Sequence, residues 1–75
     1  MNAGRPIKEQ LSTARYILAQ FIAQIDEFEA MNREQRRTER GQDLTARIDG
    51  LRTGRTTWEQ RITNLQNEHD QETPE

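Results

Sequence analysis

The sequence predicts an all-α protein: an antiparallel two-helix hairpin, coiled-coil-like, that dimerises into a four-helix bundle. Proline occurs only at positions 6 and 74, so no proline interrupts the residues between them. Apolar side chains recur at heptad spacing in two separate runs. Only 31% of the 75 residues are hydrophobic, and there is no cysteine. So small a supply of apolar side chains favours self-association or a partner, because disulfides are excluded.

The first helix is expected at about residues 6–33, and Pro6 suits its first turn. Its apolar residues are separated by alternating steps of four and three: Ile7, Leu11, Ala14, Leu18, Phe21, Ile25 and Phe28. Ile17 and Ile22 flank this seam, which makes the apolar face wider than a two-stranded contact requires.

The second helix is expected at about residues 43–69, with a seam of the same spacing that consists of Leu44, Ile48, Leu51, Arg55, Trp58, Ile62 and Leu65. Gly54 and the capping-box pattern Thr56-x-x-Glu59 favour a break inside it. The seam nevertheless keeps its phase through this point, which predicts one continuous helix with a weak segment at 53–57. Arg55 either fixes the pairing register or packs its stem while its charged end reaches outward.

The register of the two seams indicates where the chain turns. In a folded-back chain all seven facing pairs have position numbers that add to 72 or 73, and the largest side chain, Trp58, faces the small Ala14. This predicts a turn at about 34–42 centred near Arg36, with Asn32 ending the first helix and Thr38 or Asp43 capping the second. A rival turn near residue 42 would use Gly41 and Asp43.

The whole chain, residues 1–75, is expected to be one domain with a disordered acidic tail at 70–75. The first residues show no apolar run typical of a signal peptide, and no stretch approaches a membrane span. A cytoplasmic location without membrane contact is the resulting expectation.

Catalysis is not expected. His69 and Ser12 are the single members of their residue types, and a two-helix chain cannot enclose the neighbouring carboxylates to shift their pKa values. The sequence therefore predicts no catalytic residues, no cofactor, no metal site and no small-molecule substrate.

Arginine makes up ten of the eleven basic residues, although the net charge is −2. One interpretation is a nucleic-acid or anion contact, whereas the other is pairing within the helices, with Glu29 to Arg33 and Asp43 to Arg47 in the favoured order. The candidate contact residues are Arg33, Arg36, Arg37, Arg40, Arg47 and Arg52.

A second candidate set could bind protein, because aromatic and branched apolar side chains exceed what one hairpin can bury. Its members are Tyr16, Ile17, Phe21, Ile22 and Trp58. The leading hypothesis is a small non-enzymatic interaction module, an adaptor, chaperone-like subunit or inhibitor, that forms a homodimer or binds a protein partner. Its size is typical of proteins from phage, plasmid or secretion operons. The alternative is an RNA- or DNA-binding regulator that uses the arginines.

The tract Ala14-Arg15-Tyr16-Ile17-x-x-Gln20 resembles part of the first helix of the Rop family of plasmid copy-number regulators. The similarity covers about seven of the 75 residues, and the longer arginine-rich turn departs from that family. The resemblance implies a dimer of antiparallel hairpins that binds paired RNA loops. It shows that an acidic hairpin can bind RNA, which keeps the alternative hypothesis open.

Overall fold

The computed structural model describes residues 6–72 and contains three helices: α1 (Ile7–Ala30), α2 (Arg33–Arg36) and α3 (Glu39–Glu72). About 92% of this part of the chain is helical and it contains no strand, which confirms the all-α class. The molecule measures 55 × 22 × 15 Å, because α1 and α3 pack side by side along their length.

Two apolar clusters hold α1 against α3. The turn cluster consists of buried residues near the chain reversal: Ile25, Phe28, Leu44, Ile48 and Leu51. The open-end cluster contains the buried residues Leu11, Ala14 and Leu65, with Ile7, Trp58 and Ile62 half-buried against them. Both clusters draw on the predicted seams, so heptad spacing does select the side chains that α1 and α3 bury against each other.

The seam is interrupted between the two clusters. Leu18 and Arg55 belong to neither cluster and are both half-buried. Arg55 turns its guanidinium along α3, where Nε donates to Glu59 Oε2 at 3.3 Å. This geometry favours the interpretation in which the arginine stem packs and the charge reaches solvent.

The turn occupies residues 31–38 rather than 34–42. α1 ends at Ala30, three residues earlier than expected, and Met31 is extended. Asn32 begins α2 instead of ending α1, because its side chain accepts from the Gln35 backbone N–H while its own N–H donates to Gln35 Oε1, both at 2.8 Å. Thr38 caps α3 by accepting from the Gly41 N–H, so α3 starts four residues before the expected position 43.

The rival turn at Gly41 is absent, because Gly41 lies buried in the first turn of α3. A Cβ on this residue would overlap the carbonyl oxygen of Gln35 and the backbone of Arg36. Glycine is therefore needed here for close approach of α2 to α3 and not for a change of chain direction.

The helix α3 is continuous through Gly54, as the phase of the seam predicted. A Cβ at Gly54 would lie 2.5 Å from Cε1 of Phe21, whereas one at Gly50 would meet no atom within 4 Å. The missing side chain at Gly54 thus makes room for an aromatic ring from α1. The apparent break signal reflects packing across the two helices.

The expected disordered tail is helical at residues 70–72, and residues 73–75 of that prediction lie outside the described part of the chain. Among residues 6–72, neither α1 nor α3 offers the long apolar stretch that crossing a bilayer demands.

Candidate interaction surface

The apolar side chains that the two clusters leave uncovered belong almost entirely to α1. On α3, only Ala46 lies outside the clusters and the residues packed on them. On α1 the corresponding set has seven members: Tyr16, Ile17, Leu18, Ala19, Ile22, Ala23 and Ala30. Four of the seven are exposed and three are half-buried. Exposed apolar side chains concentrated on one helix favour that helix as a contact site. A partner helix would therefore gain more by docking on α1 than on α3.

Most of these residues share one side of α1. At about 100° per residue, the side chains of Ile22, Ala19, Ala23 and Tyr16 follow one another round the helix, away from α3. Tyr16 is 67% exposed and is the one large hydrophobic residue so exposed in the described chain. The outer face of α1 is defined by residues in alternating steps of four and three: Ser12, Tyr16, Ala19, Ala23, Asp26 and Ala30.

The five residues predicted to contact protein do not form one patch. Tyr16 lies on the outer face and Ile22 at its edge, whereas Ile17 projects from the opposite flank of α1. Phe21 packs on Gly54 and the turn cluster. Trp58 packs on the open-end cluster, with the Arg61 guanidinium carbon 5.4 Å from its ring centre.

The alanines of the outer face were not identified as candidate contact residues from the sequence. Alanine is the strongest helix former, and a single exposed alanine carries no contact signal. The signal that was available is their spacing, which repeats the four-three steps of the core seam on the other side of the helix.

Three of the six candidate arginines form ion pairs with carboxylates of the chain. Arg40 binds both carboxylate oxygens of Glu27 at 2.8 and 2.9 Å, and Arg52 approaches Glu29 at 3.4 Å. Arg47 contacts Asp43 at 3.1 Å, which confirms that predicted pair, and Gln24 at 2.8 Å. The predicted Glu29–Arg33 pair is wrong, because α1 ends at Ala30 and the required helical turn does not exist.

The Glu27–Arg40 pair also changes the protonation behaviour of both groups. The hydrogen bond from the Arg40 side chain lowers the pKa of Glu27 below its ordinary 4.5, and the same bond raises the pKa of Arg40. Glu27 is therefore an ion-pair partner at neutral pH and not a proton donor.

The other three arginines lie at the tip of the molecule. The Arg36 guanidinium stacks over the Phe28 ring at 4.2 Å and donates to the Phe28 carbonyl oxygen at 3.4 Å. The side chains of Arg33 and Arg37 make no hydrogen bond or ion pair with any described residue. Together with Met31 these three arginines line an open cleft of about 440 Å³. The tip is thus the part of the arginine set that remains available to an external anion.

Comparison with known proteins gives no relative: no family model, no curated protein and no solved structure matches the chain.

Proposed function

We propose that this protein is a small non-enzymatic interaction module: a helical hairpin whose α1 surface docks a further helix. The observation that carries the proposal is the asymmetry between the two long helices. Seven apolar side chains outside the core clusters lie on α1 and one lies on α3. Since burial of apolar surface drives most protein association, the uncovered side of α1 supplies the driving force.

The first partner proposed is a second copy of the chain, which would give a homodimer and a four-helix bundle. At 75 residues and 31% hydrophobic content, a lone hairpin buries little apolar surface for its length. A role as an adaptor, chaperone-like subunit or inhibitor follows if the same surface also receives another protein. Ion pairs around it would set orientation more than affinity.

Light scattering across a range of protein concentrations tests self-association. A pull-down with the tagged protein as bait tests binding of another protein. The wild type should show twice the chain mass of 8.8 kDa, and Ile22→Asp should shift it towards 8.8 kDa. Ala46→Asp is the control, because it places the same charge on an exposed apolar position of α3. A folded wild-type protein that stays at 8.8 kDa and retains no protein would overturn the proposal.

The second candidate function is nucleic-acid binding at the tip, which the cleft lined by Arg33, Arg36 and Arg37 favours. Binding of labelled RNA or DNA should weaken steeply with salt, and each lost phosphate contact should reduce the salt slope by about one. The variant Arg33→Ala/Arg37→Ala should bind with a slope lower by about two. The control Arg40→Ala/Arg47→Ala removes arginines that pair inside the chain. Absence of binding at low salt would exclude this function.

A further inference from the structure

The outer face of α1 is complementary to itself when two copies run in opposite directions. Its residues are placed symmetrically about position 21, so that Ser12 faces Ala30, Tyr16 faces Asp26 and Ala19 faces Ala23 of the other copy. Any seam with four-three spacing has this symmetry. What is particular to this chain is which side chains it brings together.

Two of the three facing layers combine small side chains. Serine and alanines at the contact permit two helix backbones to approach closely, with little side-chain entropy to lose. Ser12, Ala19, Ala23 and Ala30 are all exposed in the single chain. Association through this face would cover them without disturbing either core cluster.

The remaining layer combines a hydrogen-bond donor with an acceptor. Tyr16 and Asp26 are both exposed, and the side chain of neither makes a hydrogen bond or ion pair with another described residue. The two acidic neighbours of Asp26 behave differently, because Glu27 and Glu29 are paired with Arg40 and Arg52. A tyrosine hydroxyl can donate a hydrogen bond to the carboxylate that it faces, and this contact forms twice in a symmetric dimer.

Charge on the outer face also favours opposite directions. In a parallel pair Asp26 of each copy would lie level with Asp26 of the other, so that like charges would meet. Antiparallel chains bring Asp26 level with Tyr16 instead.

From this complementarity we propose that two copies associate as an antiparallel, twofold-symmetric dimer through the outer face of α1, with the twofold axis level with position 21. The proposal rests on the self-association put forward above and specifies its surface and direction. Four exposed small residues from each copy and two Tyr16–Asp26 contacts make up the interface. The helices α3 lie on the outside of this dimer, so this arrangement replaces the four-helix bundle proposed above with a layer in which the two copies of α1 contact each other.

Cysteine cross-linking tests the direction, because the chain contains no cysteine of its own. Ser12→Cys and Ala30→Cys proteins of different tag length are mixed in a thiol redox buffer, so that only positions in contact stay linked. In the mixture, the yield of the disulfide-linked heterodimer of Ser12→Cys with Ala30→Cys should be at least ten times the yield of linked homodimer from either protein alone. Two Ser12 positions in the proposed dimer are about 27 Å apart along the axis, at 1.5 Å per residue.

Substitution tests the surface. Ala23→Glu should raise the dimer dissociation constant at least tenfold in sedimentation, while the control Ala46→Glu on exposed α3 leaves it unchanged. Circular dichroism shows whether both variants keep the wild-type helix content. Should Ala23→Glu lose it, Tyr16→Phe still probes the same face, since it removes the hydroxyl alone and should weaken the dimer.

The outcomes separate this proposal from the function it deepens. A wild-type protein that sediments as a monomer at every concentration overturns both. A dimer linked through like positions, Ser12→Cys to itself and Ala30→Cys to itself, overturns the antiparallel direction and leaves self-association standing. A dimer that yields no cross-link above the single-protein level, or one that Ala23→Glu does not weaken, overturns the surface.

Discussion

The turn end and the open end of the molecule use the same heptad seam but bury it to different extents. The turn cluster has five buried residues, and Met31 and Phe21 are half-buried against them. The open-end cluster has three buried residues, and Trp58, Ile62 and Ile7 are half-buried against them. Three polar contacts cross between α1 and α3 near the turn, and at the open end Arg15 donates to Gln66 at 3.0 Å.

The difference has a local cause. At the turn a third element, the short helix α2, lies against α3, and Arg36 covers the ring of Phe28. At the open end two helices alone cannot surround a side chain as large as Trp58, even with Ala14 opposite it. Large side chains of a two-helix seam are therefore buried more completely where a further element covers them.

The largest expected effect compares equivalent truncations in the two clusters. Leu44→Ala should reduce the free energy of unfolding by about 4 kcal/mol and Leu65→Ala by about 2 kcal/mol. Leu44 is 0% exposed at the closed end, whereas the site of Leu65 can relax towards solvent. Urea unfolding at one protein concentration measures both. Equal losses would show that the two ends are equally well packed.

A smaller loss of stability is expected from a substitution between the two clusters, where Gly54 contacts Phe21. Gly54→Ala should destabilise by about 1–3 kcal/mol, because its Cβ would collide with the Phe21 ring. Gly50→Ala is the matched control, since its Cβ meets open space, and it should stabilise α3 by up to about 1 kcal/mol. Thermal unfolding followed by circular dichroism measures both variants.

The collision itself can be tested by coupling. Phe21→Leu should make Gly54→Ala less costly, because the atoms that collide are then absent. An unchanged cost for Gly54→Ala in the Phe21→Leu background would mean that the ring does not require the glycine.

The smallest effect concerns the exposed ion pair beside the turn cluster. Arg40 lowers the pKa of Glu27, so the pair stabilises the fold at pH values above the ordinary 4.5 of this carboxyl group. That contribution is lost as the pH falls through the lowered value. An NMR titration of the Glu27 carboxyl carbon should give a midpoint below 4.5 that returns towards it in Arg40→Gln. A midpoint unaffected by Arg40→Gln would contradict the pairing.

The sequence predicts the seam well because heptad spacing is a property of every turn of the helix. The members of both clusters, the continuity of α3 through Gly54 and the Asp43–Arg47 pair all follow from such repeated spacing. Features that depend on one or two local bonds were misplaced. The capping box of Asn32 with Gln35 places the turn earlier in the chain than predicted. The sequence left Thr38 and Asp43 as alternative caps for the next helix, and the structure uses Thr38.

The candidate interaction surface differs from the set of residues predicted to contact protein. Large side chains such as Phe21 and Trp58 attract attention in a sequence, yet both are used to pack α1 against α3. What remains outside is an exposed tyrosine among small residues, and its importance depends on which face of α1 points away from α3. A linear sequence gives that direction only after the inner face is known.

The two clusters should also form in a fixed order during folding, because the residues that they join are separated by different lengths of chain. Phe28 and Leu44 are 16 positions apart, whereas Leu11 and Leu65 are 54 apart. Closing the longer segment from an open chain costs about 1 kcal/mol more in chain entropy. The turn cluster should therefore form first, after which α1 and α3 close progressively towards the open end. Unfolding should begin at the open end, where the fluorescence of Trp58 can be used to follow it.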